Sequence, residues 1–310
     1  MRLVRRAVRM QEAILSAQQD STARGFDATL DDVLKTLAAP DTSLKTGWKE
    51  LDYFGMFERG NTVVIGGRPG NGKTDFAMNL AGRLSSRYKV YYLTLEETRQ
   101  KLMMRLLSKV CRIDANRLRD RQLDDEELQT VRNAAESLRG HSLLIFDDAA
   151  DVTVEGVRAK LLRHKPDIAF VDHIGLLAPG DPRQKEYDRI SEITRQCKLM
   201  AKQMDIVLVE LCQLNRVAAR GGERYASAAD LRGSGTIEQD ANVILFVQNA
   251  PADAPELHGA DSYRETGVRI AKNRDGALGT IRMRWQPQYH DWQPDTPTQK
   301  ELEEMDPFKD

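Results

Sequence analysis

Eight residues of this chain, Gly67-Arg68-Pro69-Gly70-Asn71-Gly72-Lys73-Thr74, fit the pattern G-x-x-x-x-G-K-[ST]. They stand between an apolar run, Thr62–Gly66, and a helical pattern that opens near Lys73. A strand before and a helix after are the flanks this loop needs. Its glycines let backbone amides converge on phosphate oxygens, and the helix N-terminus adds partial positive charge. Lys73 would reach the β- and γ-phosphates and Thr74 would ligate Mg²⁺, with Asp75 completing the nucleotide-binding set. The chemistry this predicts is binding and hydrolysis of ATP with Mg²⁺.

A second residue on the metal side is needed, and two apolar runs end in aspartate: Leu143–Asp147 and Ile168–Asp172. Either acid could hold the Mg²⁺ water shell. Asp147-Asp148 leads into an N-cap at Asp151 or Thr153, an ordinary structural role, and this favours Asp172. Hydrolysis also needs a group that orients or deprotonates water. Glu96 follows the run Tyr91–Leu95, where α/β sheets place ligand-handling residues; alternatively Glu96 and Glu97 only favour the next helix through its dipole. Gln213 follows the run Ile206–Leu211, and its amide would either sense the γ-phosphate or hydrogen-bond a turn.

The elements that must position these residues can be read from hydrophobic period. Runs at Thr62–Gly66, Val90–Leu95, 142–146, Ile168–Asp172, Ile206–Leu211 and Val243–Val247 alternate with amphipathic segments such as 75–85, 97–110 and 187–203. That alternation predicts an α/β fold with a mainly parallel sheet and helices on both faces. Val268–Lys272 and Ile281–Trp285 flank Asp275-Gly276 and predict an antiparallel hairpin at the sheet edge. Two helical stretches precede the sheet, at 3–18 and around Leu30, Val33, Leu34 and Leu37, the latter ended by Pro40. They are too short to form a core alone and should dock on the main domain or on another subunit. The tail after Trp292 is polar and acidic and reads as disordered.

Composition narrows the partners only slightly. The 310 residues carry 46 Lys plus Arg against 47 Asp plus Glu, so nucleic-acid contact requires a local basic patch. Such a patch lies between Asn215 and Gly235, where Arg216, Arg220, Arg224 and Arg232 outnumber Glu223 and Asp230 around Gly221-Gly222. It would hold successive phosphates of a single strand without reading bases, or be a solvated surface loop. Arg183 and Lys185 form a weaker second candidate. Cys111, Cys197 and Cys212 lack metal-ligand spacing and read as reduced structural thiols. No segment reads as a secretory signal or a membrane span, which predicts a cytoplasmic location and no membrane partner.

Over about residues 45–292 the order and spacing of these pieces resemble the C-terminal, RecA-like ATPase domain of DnaB-type replicative helicases. Thr46-Gly47 with Leu51-Asp52 resembles that family's entry segment, and Arg68-Pro69 with Gly72-Lys73-Thr74 its phosphate loop. Leu95-Glu96 resembles the strand end bearing the catalytic glutamate, and Arg105 matches an arginine on the following helix. The most specific matches are Gln213-Leu214-Asn215-Arg216 and the run Asp230-Leu231-Arg232, Ser234-Gly235, Ile237–Ala241.

The resemblance implies that Glu96 activates water, that Asp172 rather than Asp147 stands at the Mg²⁺, and that Gln213 couples the γ-phosphate to the DNA loops. It implies that Lys272 and Arg274, in Lys272-Asn273-Arg274-Asp275-Gly276, reach the ATP of a neighbouring subunit, and that Arg105 belongs to the catalytic set. It turns the basic loop, with Gly233, Ser234 and Gly235, into a DNA-binding element. A homo-oligomer, by resemblance a hexamer, would translocate 5′ to 3′ on single-stranded DNA, unwind duplex in replication and meet a loader or other replisome protein. A recombinase or clock-type ATPase of the same fold, or a non-hydrolysing ATP-binding loader, would keep the phosphate loop; the latter is opposed by intact Lys73, Thr74, Glu96 and Asp172.

Three domains follow: a helical docking segment at 1–45, the motor at 46–292, and the tail at 293–310. Family members usually carry a helical N-terminal domain that recruits primase, and residues 1–38 read instead as the linker helix that packs on an adjacent subunit. Gly233 stands where the family often has an acidic residue, and His173 where a tyrosine is common.

Overall fold

The computed structural model describes residues 25–39, 41–139, 143–178, 186–214, 230–231, 234–249 and 262–295. Two compact units divide the chain, residues 1–42 and 43–310. In the first, helix α1 (Phe26–Ala38) ends before Pro40 and exposes the stripe Phe26, Leu30, Val33, Leu34 and Leu37. The expected helix over 3–18 and the acidic tail from residue 296 lie outside the described residues, as do residues 140–142 and 250–261.

The second unit is built on a nine-stranded sheet: β1 (Thr62–Gly67), β2 (Val90–Thr94), β3 (Leu144–Asp147), β4 (Ile168–Asp172), β5 (Val207–Gln213), β6 (Val243–Asn249), β7 (Arg264–Asn273), β8 (Gly279–Gln286) and β9 (Asp291–Pro294). Its order is β3-β2-β4-β5-β1-β6-β7-β8-β9. Pairs from β3 through β6 are parallel, and those among β6, β7, β8 and β9 antiparallel. Strands β1, β2 and β4 are buried along their whole length, which is why they read as unbroken apolar runs rather than alternating ones.

The helices of this unit are α2 (Lys49–Asp52), α3 (Lys73–Leu84), α4 (Arg99–Cys111), α5 (Ala115–Arg119), α6 (Asp125–Leu138), α7 (Val154–His164), α8 (Glu186–Met204) and α9 (Ser234–Asp240). Side-chain caps start several of them: Thr98 for α4, Asp114 for α5, a capping box of Asp124 with Glu127 for α6, and Thr153 for α7. One core includes α3 and the β8–β9 end, where Phe76 meets Trp292 edge-on at 5.4 Å and Trp292 stacks on Trp285 at 5.6 Å. The other includes α8, whose Ile190, Ile193, Cys197, Met200 and Ala201 recur at helical spacing.

Several boundaries differ from the sequence expectation. The strand expected at 142–146 is Leu144–Asp147, and β5 runs two residues further, to Gln213. The β7–β8 hairpin is present but lies inside the edge, because Asp291–Pro294 adds a strand outside it. That strand is four residues long and ends in proline, a composition that gives little strand signal. Among the described residues no helix is long and apolar enough to cross a membrane.

One buried acid shapes stability. Glu210 sits in β5 between Val64 of β1 and Val171 of β4, is 1% exposed, and its Oε2 has no hydrogen-bond partner among the described residues. Burial, reinforced by the charge of Asp240, raises its pKa from 4.5 to about 8. The folded state therefore holds this proton more tightly than the unfolded chain. The stabilisation is complete below pH 4.5 and is lost as pH rises to 8, a change on the order of 3–5 kcal/mol. Glu210→Gln should flatten the pH dependence of melting between pH 5 and 8 and raise the melting temperature at pH 8 by about 5 °C or more. Thermal melts of both proteins at the two pH values check this; parallel curves would refute it.

Candidate active site

The chain leaves β1 at its carboxyl end and turns into α3 through residues 68–72. Gly70 and Gly72 have φ of +80° and +74°, a left-handed backbone that side chains rarely adopt. Gly72 is also boxed in, since a Cβ there would come within 2.8 Å of the Trp285 ring. Both glycines are thus required by geometry, one of them doubly. The turn is closed by Asn71 N–H donating to Arg68 O at 3.2 Å, and α3 starts with Phe76 N–H donating to Gly72 O at 2.8 Å. No side chain caps α3, so the first-turn amides at Lys73, Thr74 and Asp75 face the turn with the helix dipole behind them.

Asp172 ends β4 at 2% exposure. Tyr92 Oη donates to its Oδ2 at 2.9 Å, while Oδ1 is buried with no hydrogen-bond partner among the described residues. Burial raises its pKa, and the Lys73 ammonium and the hydroxyls of Thr74 and Tyr92 act against that rise. An acid held between a lysine and a threonine hydroxyl, with one oxygen unsatisfied, fits the outer coordination of a divalent cation at Thr74. Asp147 is placed differently. It lies on the edge strand β3 and is occupied by Tyr91 Oη, by Lys160 Nζ at 2.6 Å and by Ala149 N–H at 2.9 Å. These partners hold its pKa low despite burial, and it serves the β3–α7 connection.

Glu96 follows β2 and is exposed, its carboxylate 4.0 Å from His173 Nε2. The turn under it is pinned twice: Leu95 N–H donates to Asp172 O at 2.7 Å, and Thr94 Oγ1 donates to Glu97 O at 2.8 Å. Neither glutamate lies in α4, which starts at Arg99 behind its Thr98 cap. Gln213 pairs in register with Gly67, and Leu214 N–H reaches Gly67 O at 3.4 Å. The last residue of β5 therefore stands beside the first glycine of the turn. Leu214 bridges to Leu231, which also packs against Gly66, so the far end of the basic loop returns to the floor of the site.

Arg105 projects from α4 and is taken up by two carboxylates, Asp75 and Glu97. Lys272 Nζ donates to Glu238 O, and an Arg274 guanidinium NH2 donates to Gln239 O at 2.5 Å. Within one chain these two cations thus meet the last carbonyls of α9; burial and the Arg274 charge lower the Lys272 pKa. Of the expected DNA-binding residues, Arg183, Lys185, Arg216, Arg220, Arg224, Arg232 and Gly233 lie outside the described residues. Ser234 and Gly235 begin α9. The sequence reading missed Tyr92 as the partner of Asp172 and Glu97 as the partner of Arg105; only an acid next to Glu96 signalled the latter.

A β3-β2-β4-β5-β1 order, with β1 feeding a glycine turn and then a helix, is the RecA-like α/β fold of phosphate-loop nucleotidases. Within that class, the family described as DnaB-like helicase C terminal domain matches residues 43–294, and the chain belongs to it. A replicative DNA helicase DnaB of Helicobacter pylori (strain J99) is 28% identical over 301 residues, covering 85% of this chain and 62% of its own length. That of Treponema pallidum is 32% identical over 249 residues, covering 78% and 54%. The chain therefore spans only part of these relatives. Among solved structures, the ATPase domain of G40P superposes with a TM-score of 0.77 at 28% identity, covering 87% of this chain and 98% of that one. A DnaB-like replicative helicase solved for its interactions with primase gives 0.77 at 28% identity, covering 91% and 70%.

Proposed function

We propose that this chain is the ATP-hydrolysing motor of a DNA helicase, working as a homo-oligomer that moves along single-stranded DNA and displaces the complementary strand. The observation that carries the reading is the convergence of the glycine turn, Asp172 and Gln213 at the carboxyl ends of β1, β4 and β5, in a family whose relatives bear the name helicase. Amides of the turn and Lys73 bind the phosphates. Thr74 and Asp172 would hold Mg²⁺, whose charge would stabilise the transferring phosphoryl group. Glu96, exposed at the mouth, orients the attacking water and accepts its proton.

Gln213 stands beside Gly67 of the turn, so a change at the γ-phosphate would pass through it to Leu214 and its bridge partner Leu231, at the far end of the basic loop. Arginines of that loop, with Arg183 and Lys185 as weaker contacts, hold the DNA backbone. Lys272 and Arg274 complete the site of a neighbouring subunit, which makes the interface heterologous and the assembly a ring or helical array.

Strand displacement on a forked duplex tests the proposal. The expected result is ATP-dependent displacement that falls steeply as salt rises and vanishes in Lys73→Ala. ATP turnover with strand exchange but no displacement would overturn the helicase reading in favour of a recombinase of the same fold.

A further inference from the structure

The Arg105 guanidinium is held in the site by two acids from separate segments. Its NH1 donates to Asp75 Oδ1 at 2.7 Å, and its NH2 to both oxygens of Glu97, at 2.5 and 2.7 Å. Asp75 follows Thr74 in the first turn of α3, and Glu97 follows Glu96 in the turn after β2. Asp75 is nearly buried, and Arg105 and Glu97 are about three-quarters covered, so water screens little of this cluster. The two carboxylates outweigh the burial of Arg105 and raise its pKa further. His290 adds a third wall, its Nδ1 3.0 Å from Asp75 Oδ1.

Each acid is one residue away from a group assigned to the reaction, and a planar guanidinium fixes both bonds in direction as well as length. The charge of Arg105 is matched by two carboxylates within the chain, and both of its terminal nitrogens donate to them. This arrangement suits a strut between two backbone segments better than a contact to phosphate. We propose that Arg105 is a positioning residue that, through Asp75 and Glu97, sets the separation between the phosphate turn and Glu96. The inference rests on the reading of Glu96 as the water-orienting group, and it assigns Asp75 and Glu97 to the strut rather than to the nucleotide.

The test measures kcat, KM for ATP and equilibrium binding of a fluorescent ATP analogue in the intact chain with single-stranded DNA. The variants are Arg105→Gln, Arg105→Lys, Glu97→Gln and the Arg105→Gln/Glu97→Gln double. Displacing a reacting group by about 1 Å costs on the order of 100-fold, so kcat should fall about 10- to 100-fold in each single variant with nucleotide affinity unchanged. The double variant should be no worse than Arg105→Gln, and Arg105→Lys should recover little, because an ammonium cannot hold both acids in the same geometry.

Strongly weakened nucleotide binding in Arg105→Gln with a silent Glu97→Gln would overturn the proposal and place Arg105 on the phosphate. Normal kcat in both, with only a lowered melting temperature, would overturn it as a structural ion cluster. If Arg105→Gln does not fold, the isosteric Glu97→Gln decides alone by the same kcat criterion. Glu96→Gln measured alongside keeps the two readings apart: normal turnover there removes the Glu96 assignment, whatever the strut variants do.

Discussion

Glu96→Gln is expected to lower ATP turnover by about 10²- to 10⁴-fold while leaving ATP binding intact. The carboxylate is exposed at the mouth of the site, and among the described residues no neighbour within ion-pair distance other than His173, at 4.0 Å, engages it. It is therefore available to water, whereas the adjacent Glu97 is consumed by Arg105. Glutamine keeps the shape and removes the proton acceptor. Because the proposal gives phosphate binding to the glycine turn and Lys73 rather than to Glu96, affinity should not move. Single-turnover hydrolysis and analogue binding measured on the same preparation check the split. A variant with normal turnover would put the base elsewhere, and one with lost binding would put Glu96 on the nucleotide.

Arg274→Ala is expected to cost about 10³- to 10⁵-fold in turnover if the arginine stabilises the transferring phosphoryl of a neighbour. The competing account is visible in the single chain, where Lys272 and Arg274 meet the last carbonyls of α9. Cations at a helix C-terminus contribute about 0.3–1 kcal/mol, and losing one would lower stability slightly and leave turnover alone. The two roles thus predict effects that differ by orders of magnitude. They are also compatible in one molecule: the contact with α9 ties the cations to the helix that follows the basic loop, so DNA held by one subunit would bear on the ATP of the next.

Much of this architecture was legible because its signals are local. The phosphate turn needs glycines at φ values other residues avoid, and a strand and helix around it, and all of these are contiguous in sequence. The central parallel strands β1, β2 and β4 are buried on both faces and so read as apolar runs. The preference for Asp172 over Asp147 rested on an N-cap at Asp151 or Thr153 behind Asp147, and Thr153 is that cap.

What stayed hidden depends on tertiary placement. Asp75, Glu97 and Arg105 come together only after α3, the β2 turn and α4 are packed, and no spacing announces it. The polar helix α6 was overlooked although Asp124 and Glu127 form a capping box, a signal present in the sequence and outweighed by the scarcity of buried apolar residues. Glu210 passed unnoticed inside an apolar run, where one acid does not break the strand period. Strand β9 has two buried residues and a proline, and it exists because Trp292 fills the space beside Trp285 and Phe76.

The most direct test of a shared, DNA-driven ATP site is steady-state hydrolysis, with and without single-stranded DNA, by Lys73→Ala, Arg274→Ala and an equal mixture of the two. Each variant alone should be inactive. In the mixture, some interfaces pair an intact phosphate turn from one chain with an intact Arg274 from the other, and DNA-stimulated turnover should return in part. A mixture as inactive as its components, or an Arg274→Ala chain that hydrolyses ATP at the wild-type rate, would contradict the account.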